Sequence, residues 1–275
     1  TGAFIVLLSS IVVTYGFDGL QIATMMAGIM LLLMSVAKLG NVIRFIPAPV
    51  IMGFTDGIGV TIWVGQWPYF FGFPSLPYVE HFHEKLWLMI QSLPYSDIPT
   101  LCISIFSLIL LLVLPKIPYI NKVPAPIVAM VIATFIQGYY QFPTVQTIGT
   151  AFGGIPQGLP EFSFPSLSLD KIFSLMGPAF TIAMLGAIES LLSAVVADGM
   201  SGQKHESNTE LFGQGLANIF APLFGGIAAT GAIARTATNI RQGGTSPLAG
   251  IVHAITLGAI LLFLAPYAVY IPLAS

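Results

Sequence analysis

Residues 172–197 read IFSLMGPAFTIAMLGAIESLLSAVVA, an apolar run with a single charge, Glu189. A helix needs roughly 20 apolar residues to cross the hydrocarbon core of a bilayer. The stretch is therefore one membrane span with an acid inside it. A polar turn follows, DGMSGQKHESN at 198–208, then a second apolar run at 211–229. Next comes the short piece TGAIARTATNI at 230–240, which carries Arg235 where no loop charge is expected. An ionised side chain at the bilayer centre costs about 2.5–3.5 kcal/mol on insertion scales, so it is kept by a partner or a ligand unless it snorkels to the interface.

The same reading extends to the whole chain. Apolar runs occur at 1–14, 20–37, 45–73 (interrupted only by Asp56), 100–114, 123–140 and 247–270. Two polar, proline-containing stretches, 74–98 and 141–170, read as long loops, the first with room for one surface helix. The composition agrees: of 275 residues 56% are hydrophobic and 7% are charged, against roughly 25% charged in a soluble domain. The fold class expected is an all-α membrane protein, since the alternating ten-residue strands of a barrel are not visible. The single cysteine, Cys102, leaves nothing for an internal disulfide or a thiolate cluster, and a net charge of −2 offers no patch for nucleic acid. No HExxH, GxSxG, Walker loop or GxGxxG is present, so an enzyme is not expected. Residue 1 already sits inside an apolar run, and the chain is expected to be an internal fragment without a signal peptide.

The basic residues orient these spans. If each run crosses once, Lys38, Arg44, Lys116, Lys122, Lys204 and Arg241 fall on one side, and Lys85 and Lys171 on the other. By the positive-inside rule the first side is cytoplasmic and both long loops are external. The two short segments begin alike, TGAF at 1–4 and TGAI at 230–233, and on this topology run in opposite directions. Short, glycine-marked segments at matching places in two inverted halves point to a transporter's binding site, although so few small residues also recur by chance.

Residues 186–250, GAIESLLSAVVADGMSGQKHESNTELFGQGLANIFAPLFGGIAATGAIARTATNIRQGGTSPLAG, resemble the core of the SulP sulfate permeases, solute carrier family 26. Residues 19–59, GLQIATMMAGIMLLLMSVAKLGNVIRFIPAPVIMGFTDGIG, resemble the fourth and fifth helices of the same family. Within it, the block GAIESLL…DGMSGQKH…GAIAR is most similar to the bacterial branch that takes up C4-dicarboxylic acids. The resemblance implies a uracil-permease-like fold of two inverted sevens with a gate and a core domain. It implies that residues 1–275 are a partial transmembrane domain, about segments three to eleven, without the first and last helices and the STAS domain. It further implies a homodimer, multi-pass in the cell inner membrane, and no cofactor.

In this family the third and tenth segments are half-helices whose N-termini meet near mid-membrane. Carried over, the substrate-binding residues are Thr1, Gly2, Ala3 and Phe4 on one segment and Gly231, Ala232, Ile233, Ala234 and Arg235 on the other. The chemistry fits: helix N-termini present unpaired N–H groups and partial positive charge, which suits a carboxylate, sulfate or bicarbonate, and small side chains let the anion reach the backbone. Glu189, with Ser193 at i+4 on the same face, matches the acidic position associated with proton or sodium coupling. The alternative is a structural ion pair with Arg235. Were the two about 4 Å apart, they would interact by roughly 4 kcal/mol at an effective dielectric of 20. Proton-coupled symport of a C4-dicarboxylate is the leading expectation. Sulfate or another inorganic anion, exchange, and an uncoupled channel stay open.

Other residues receive lesser readings. Asp56 departs from the family, which usually has a small residue there; it sits near the cytoplasmic interface or is a second titratable group. Asn208, Glu210 and Gln214 read as capping the ninth helix, with Thr209 or Asn208 as N-cap. His253 reads as a buried, hydrogen-bonding histidine. The His81-Phe82-His83-Glu84 cluster is weak as a metal motif. Gly53 and Gly57 have the spacing of a close helix contact. Met25, Met26, Met30 and Met34 read as core or lipid filling.

Overall fold

The computed structural model describes residues 2–41, 48–77, 79, 81–117, 123–158 and 160–275. Thr1, Arg44, Glu80 and Lys122 lie outside them. The described elements are α1 (Gly2–Val36), α2 (Ala48–Gly65), α3 (Trp67–Phe71), α4 (Phe82–Ser92), α5 (Ile98–Val113), α6 (Ala125–Tyr140) and α7 (Ile148–Phe152). They continue with α8 (Leu169–Ser201), α9 (Ser207–Leu223), α10 (Ile233–Arg241), α11 (Leu248–Ala259) and, after a π turn at Ile260–Leu264, α12 (Ala265–Ala268). Among the described helices, Leu7–Val36, Ile98–Lys116, Leu169–Ser201 and Leu248–Ala268 are long and apolar enough to cross a membrane, and Ala125–Tyr140 is a shorter apolar helix. The surface helix expected in 74–98 is α4.

Two compact units divide the chain: Thr1–Ile58 with Pro160–His253, and Gly59–Leu159 with Ala254–Ser275. In the first, α1, α8 and α9 pack together around Phe4, Leu8, Ile11, Leu20, Ile22, Leu31, Leu175, Ile182, Leu191 and Leu211. Met26, Met30 and Met34 fill against this core. The runs expected separately at 1–14 and 20–37 form one helical element, α1, broken at Gly16. That residue has φ 75 and ψ 176, a conformation open to glycine alone, so one residue does the work of a connecting loop. α1 crosses α9 at a pair of glycines: a Cβ on Gly28 would lie 2.7 Å from the Gly215 oxygen, and one on Gly215 2.9 Å from the Gly28 oxygen. The close helix contact is thus here and not at Gly53 and Gly57, where a Cβ would meet nothing within 4 Å among the described residues. Buried Gln21 donates to the Pro222 carbonyl at 3.1 Å.

In the second unit, α5 packs on α6 around Ile103 and Ala133, while Val64, Phe73 and Met89 form a separate small core. Asp97 caps α5, accepting from the Thr100 N–H at 2.9 Å, the Thr100 hydroxyl at 2.6 Å and the Thr144 hydroxyl at 3.0 Å. Partial burial raises its carboxyl pKa, but these three hydrogen bonds outweigh that and hold it below the ordinary value.

Candidate functional site

The site is built on about two turns of α8, from Gly186 to Ser193. Helix α8 runs 33 residues, from the Ser168 N-cap to Gly202 in the left-handed conformation, and most of its middle is buried. Glu189, Ser190 and Ser193 are all buried on it. Phe4, near the start of α1, is buried against this turn: a Cβ on Gly186 would lie 3.7 Å from the Phe4 ring. On the same turn the Thr230 hydroxyl donates to the Gly186 carbonyl at 3.2 Å. A Cβ on Gly231 would lie 3.2 Å from both Ser190 Cα and Ser193 Cβ. The Ser193 hydroxyl donates to Thr236 Oγ1 at 3.1 Å. The starts of the two short helical segments therefore rest on one stretch of α8, within one compact unit.

Helix α10 begins with no side-chain cap: its N-cap is Ala232, extended at φ −119 and ψ 105. The first intrahelical bond runs from the Thr236 N–H to the Ala232 carbonyl at 2.9 Å. The N–H groups of Ile233, Ala234 and Arg235 precede it and have no acceptor within the helix. Arg235 is exposed and takes part in no ion pair among the described residues; the pair present there is His205–Asp198, at 2.8 Å. The structural alternative, an ion pair between Glu189 and Arg235, is therefore not what holds Arg235.

The extended segment leading into α10 is held by α9. The Asn218 side chain donates to the Ala229 carbonyl and accepts from the Ala229 N–H, both at 2.9 Å. Gln214 donates to the same carbonyl. One turn before Gln214, Glu210 accepts the Ser190 hydroxyl at 2.5 Å. Glu210, Gln214 and Asn218 are spaced i, i+4, i+8 and share one face of α9. Glu210 and Gln214, expected as caps of this helix, instead make these cross-helix bonds, and Asn218 joins them. The cap of α9 is instead Glu206, whose carboxylate accepts from the Thr209 N–H and hydroxyl. The Thr209 hydroxyl and N–H, with Asn208, bring its pKa down to about 2. Asn208 ties α9 to the turn after α1, accepting from Ser35 at 2.6 Å and from the Gly40 N–H at 3.1 Å. The available signal was polar residues recurring at helical spacing within an apolar run.

Of the expected site residues, Thr1 lies outside the described ones, and Gly2 and Ala3 open α1. Phe4 is buried, Gly231 to Ile233 are half-buried, and Ala234 and Arg235 are exposed. Asp56 is exposed on α2. His253 is exposed, against the expectation of burial, because its helix α11 presents little of its surface to the rest of the chain. The His81 and His83 rings stack at 5.5 Å.

The family model described as "Sulfate permease family" matches residues 5–275. The chain belongs to this family. Among sulfate permease relatives, "Putative sulfate transporter YvdB" of Bacillus subtilis is 47% identical over 275 residues, covering 100% of this chain and 52% of that protein. The bicarbonate transporter BicA of a Picosynechococcus is 34% identical over 262 residues, covering 94% of this chain and 45% of its own length. The chain thus spans about half the length of the curated relatives it matches. The solved transmembrane domain of a cyanobacterial BicA superposes with a TM-score of 0.81 at 29% identity, covering 100% of this chain and 71% of that one. Murine Slc26a9, at 23% identity and a TM-score of 0.78, shares the fold, covering 95% of this chain and 43% of that chain. The sulfate permease fold is the inverted-repeat fold expected from the sequence, and the relatives are anion transporters of the membrane.

Proposed function

We propose that residues 1–275 form the anion-binding part of a secondary active transporter, about segments three to eleven of its transmembrane domain, in a multi-pass homodimer of the cell inner membrane. One observation carries the reading: the starts of α1 and α10, the latter uncapped, both rest on the α8 turn that bears buried Glu189. The anion is held by the backbone N–H groups at Gly2–Phe4 and Gly231–Arg235, with the Arg235 guanidinium beside them. Glu189 and Ser193 form the coupling site. An ionised Glu189 lowers the local potential for an anion, and protonating it restores that potential. Among the described residues Arg235 makes no ion pair, so this linkage acts through the field across the site and not through release of a Glu189–Arg235 bridge. Proton and anion then favour each other's binding reciprocally, as symport requires.

The relatives are named for sulfate and bicarbonate, which supports a small inorganic oxyanion. The C4-dicarboxylate reading rests on the similarity of residues 186–250 alone. Uptake of radiolabelled sulfate, bicarbonate and succinate by the intact protein in vesicles, with an imposed proton or sodium gradient, separates these readings. Arg235→Ala loses binding at every pH. Glu189→Gln keeps binding but abolishes accumulation driven by the pH gradient. If Glu189→Gln still concentrates substrate on a proton gradient, Glu189 is structural and coupling lies elsewhere.

A further inference from the structure

Glu210 and Asn218 bond to Ser190 and Ala229, on the two walls around the proposed anion. Asn218 is 1% exposed and its amide bonds both the N–H and the carbonyl of one residue, Ala229, two residues before Gly231. An extended segment inside a membrane protein must find partners for its backbone groups, and among the described residues α9 supplies them at Ala229. Asn218 therefore determines how far along α8 the segment sits when it turns into α10. Two turns earlier, Glu210 accepts the Ser190 hydroxyl, and Ser190 is both the neighbour of Glu189 and the residue against which Gly231 packs. Both distances across the site, from α9 to α8 and from α9 to α10, are thus set from one face of one helix.

We propose that Asn218 and Glu210 are positioning residues of the anion site: Asn218 fixes the level at which α10 begins, and Glu210 fixes the rotation of the α8 turn opposite it. This rests on the reading that the N-terminus of α10 binds the anion. Glu210 acts here as a hydrogen-bond acceptor, so its charge is not required and glutamine can replace it. Asn218 acts through donor and acceptor together, so leucine of similar size cannot.

The test measures equilibrium binding of radiolabelled sulfate, bicarbonate and succinate to the intact protein over a range of pH, with monodispersity checked for each variant. Asn218→Leu and Glu210→Leu should each weaken binding of the bound anion about tenfold, the loss expected when a buried hydrogen-bonding pair is broken. The pH at which the residual binding is half-maximal should stay where it is in the wild type, because Glu189 is untouched. Ser190→Ala should reproduce Glu210→Leu, and the two together should lose no more than either alone. Glu210→Gln should restore affinity. If the leucine variants fold and bind as the wild type does, the positioning role is wrong. If Glu210→Gln shifts the pH profile, Glu210 is a charge-bearing group of the site and the proposal is equally overturned. Should a leucine variant fail to fold, Ser190→Ala and Glu210→Gln decide alone. Arg235→Ala distinguishes the two levels: if it too binds normally, the site reading itself has failed.

Discussion

Gly231 offers the sharpest test of the site, since the perturbation is one methyl group. Its backbone does not need glycine for conformational reasons; the restriction is space. A Cβ there would stand 3.2 Å from Ser190 Cα and Ser193 Cβ and 3.3 Å from the Ser190 hydroxyl. Carbon atoms in contact prefer about 3.5–4.0 Å, so Gly231→Ala overlaps by a few tenths of an ångström. Ser190 Cα is backbone of a long helix packed against α1 and α9 and yields little. The extended segment must therefore back away, carrying the N–H groups at the start of α10 with it. Overpacking of this kind costs about 1–3 kcal/mol. If the anion site bears it, affinity falls by about five- to a hundred-and-fifty-fold, taking about 1.4 kcal/mol per tenfold. The assay is equilibrium binding of radiolabelled sulfate, bicarbonate and succinate to the intact protein, with thermal unfolding measured in parallel. Gly213→Ala is the control, because a Cβ on Gly213 meets nothing within 4 Å and the residue lies on α9, outside the site. Gly231→Ala with wild-type affinity for every anion would falsify the placement of the site.

Further outcomes follow from other contacts. Gly28→Ala puts a methyl 2.7 Å from the Gly215 oxygen and should destabilise the α1–α9 crossing by about 1–3 kcal/mol, read as a lowered unfolding temperature; Gly53→Ala, in open space, should not. On a Cys102→Ser background, an impermeant thiol reagent applied to intact cells should label a cysteine at position 83 and spare one at 204. The reverse pattern would invert the topology. The Glu206 carboxyl, held at about 2 in the folded chain against an ordinary 4.5, stabilises the start of α9 while it is ionised. Its contribution is complete above about pH 4.5 and fades as pH falls toward 2. The unfolding temperature of Glu206→Gln should therefore lie below that of the wild type at pH 6, with the gap closing on acidification; a gap that persists at low pH would mean that hydrogen bonding alone, and not ionisation, holds the cap.

The long apolar run at 172–197 with its one acid, and the arginine at 235, were legible in residues 172–241, because membrane insertion depends on runs of apolar side chains within one segment. The short, glycine-marked pieces at 1–4 and 230–233 were legible for the same local reason. What they rest on was not. That Phe4 and Gly231 meet the same stretch of α8, that Gly28 crosses Gly215, and that Arg235 stands exposed and makes no ion pair among the described residues are facts of four helices brought together. The misreadings share this cause. Asn208, Glu210 and Gln214 look like capping residues to any local rule, yet two of them reach across to Ser190 and Ala229, and the cap falls to Glu206. Gly53 and Gly57 have the right spacing for a close contact, but spacing does not say which helix face finds a neighbour. Hydropathy and helical period act along the chain; hydrogen bonds between α8, α9 and the segment before α10 join residues up to 44 positions apart. Only the packed structure pairs those groups, since each must find a partner wherever water is excluded.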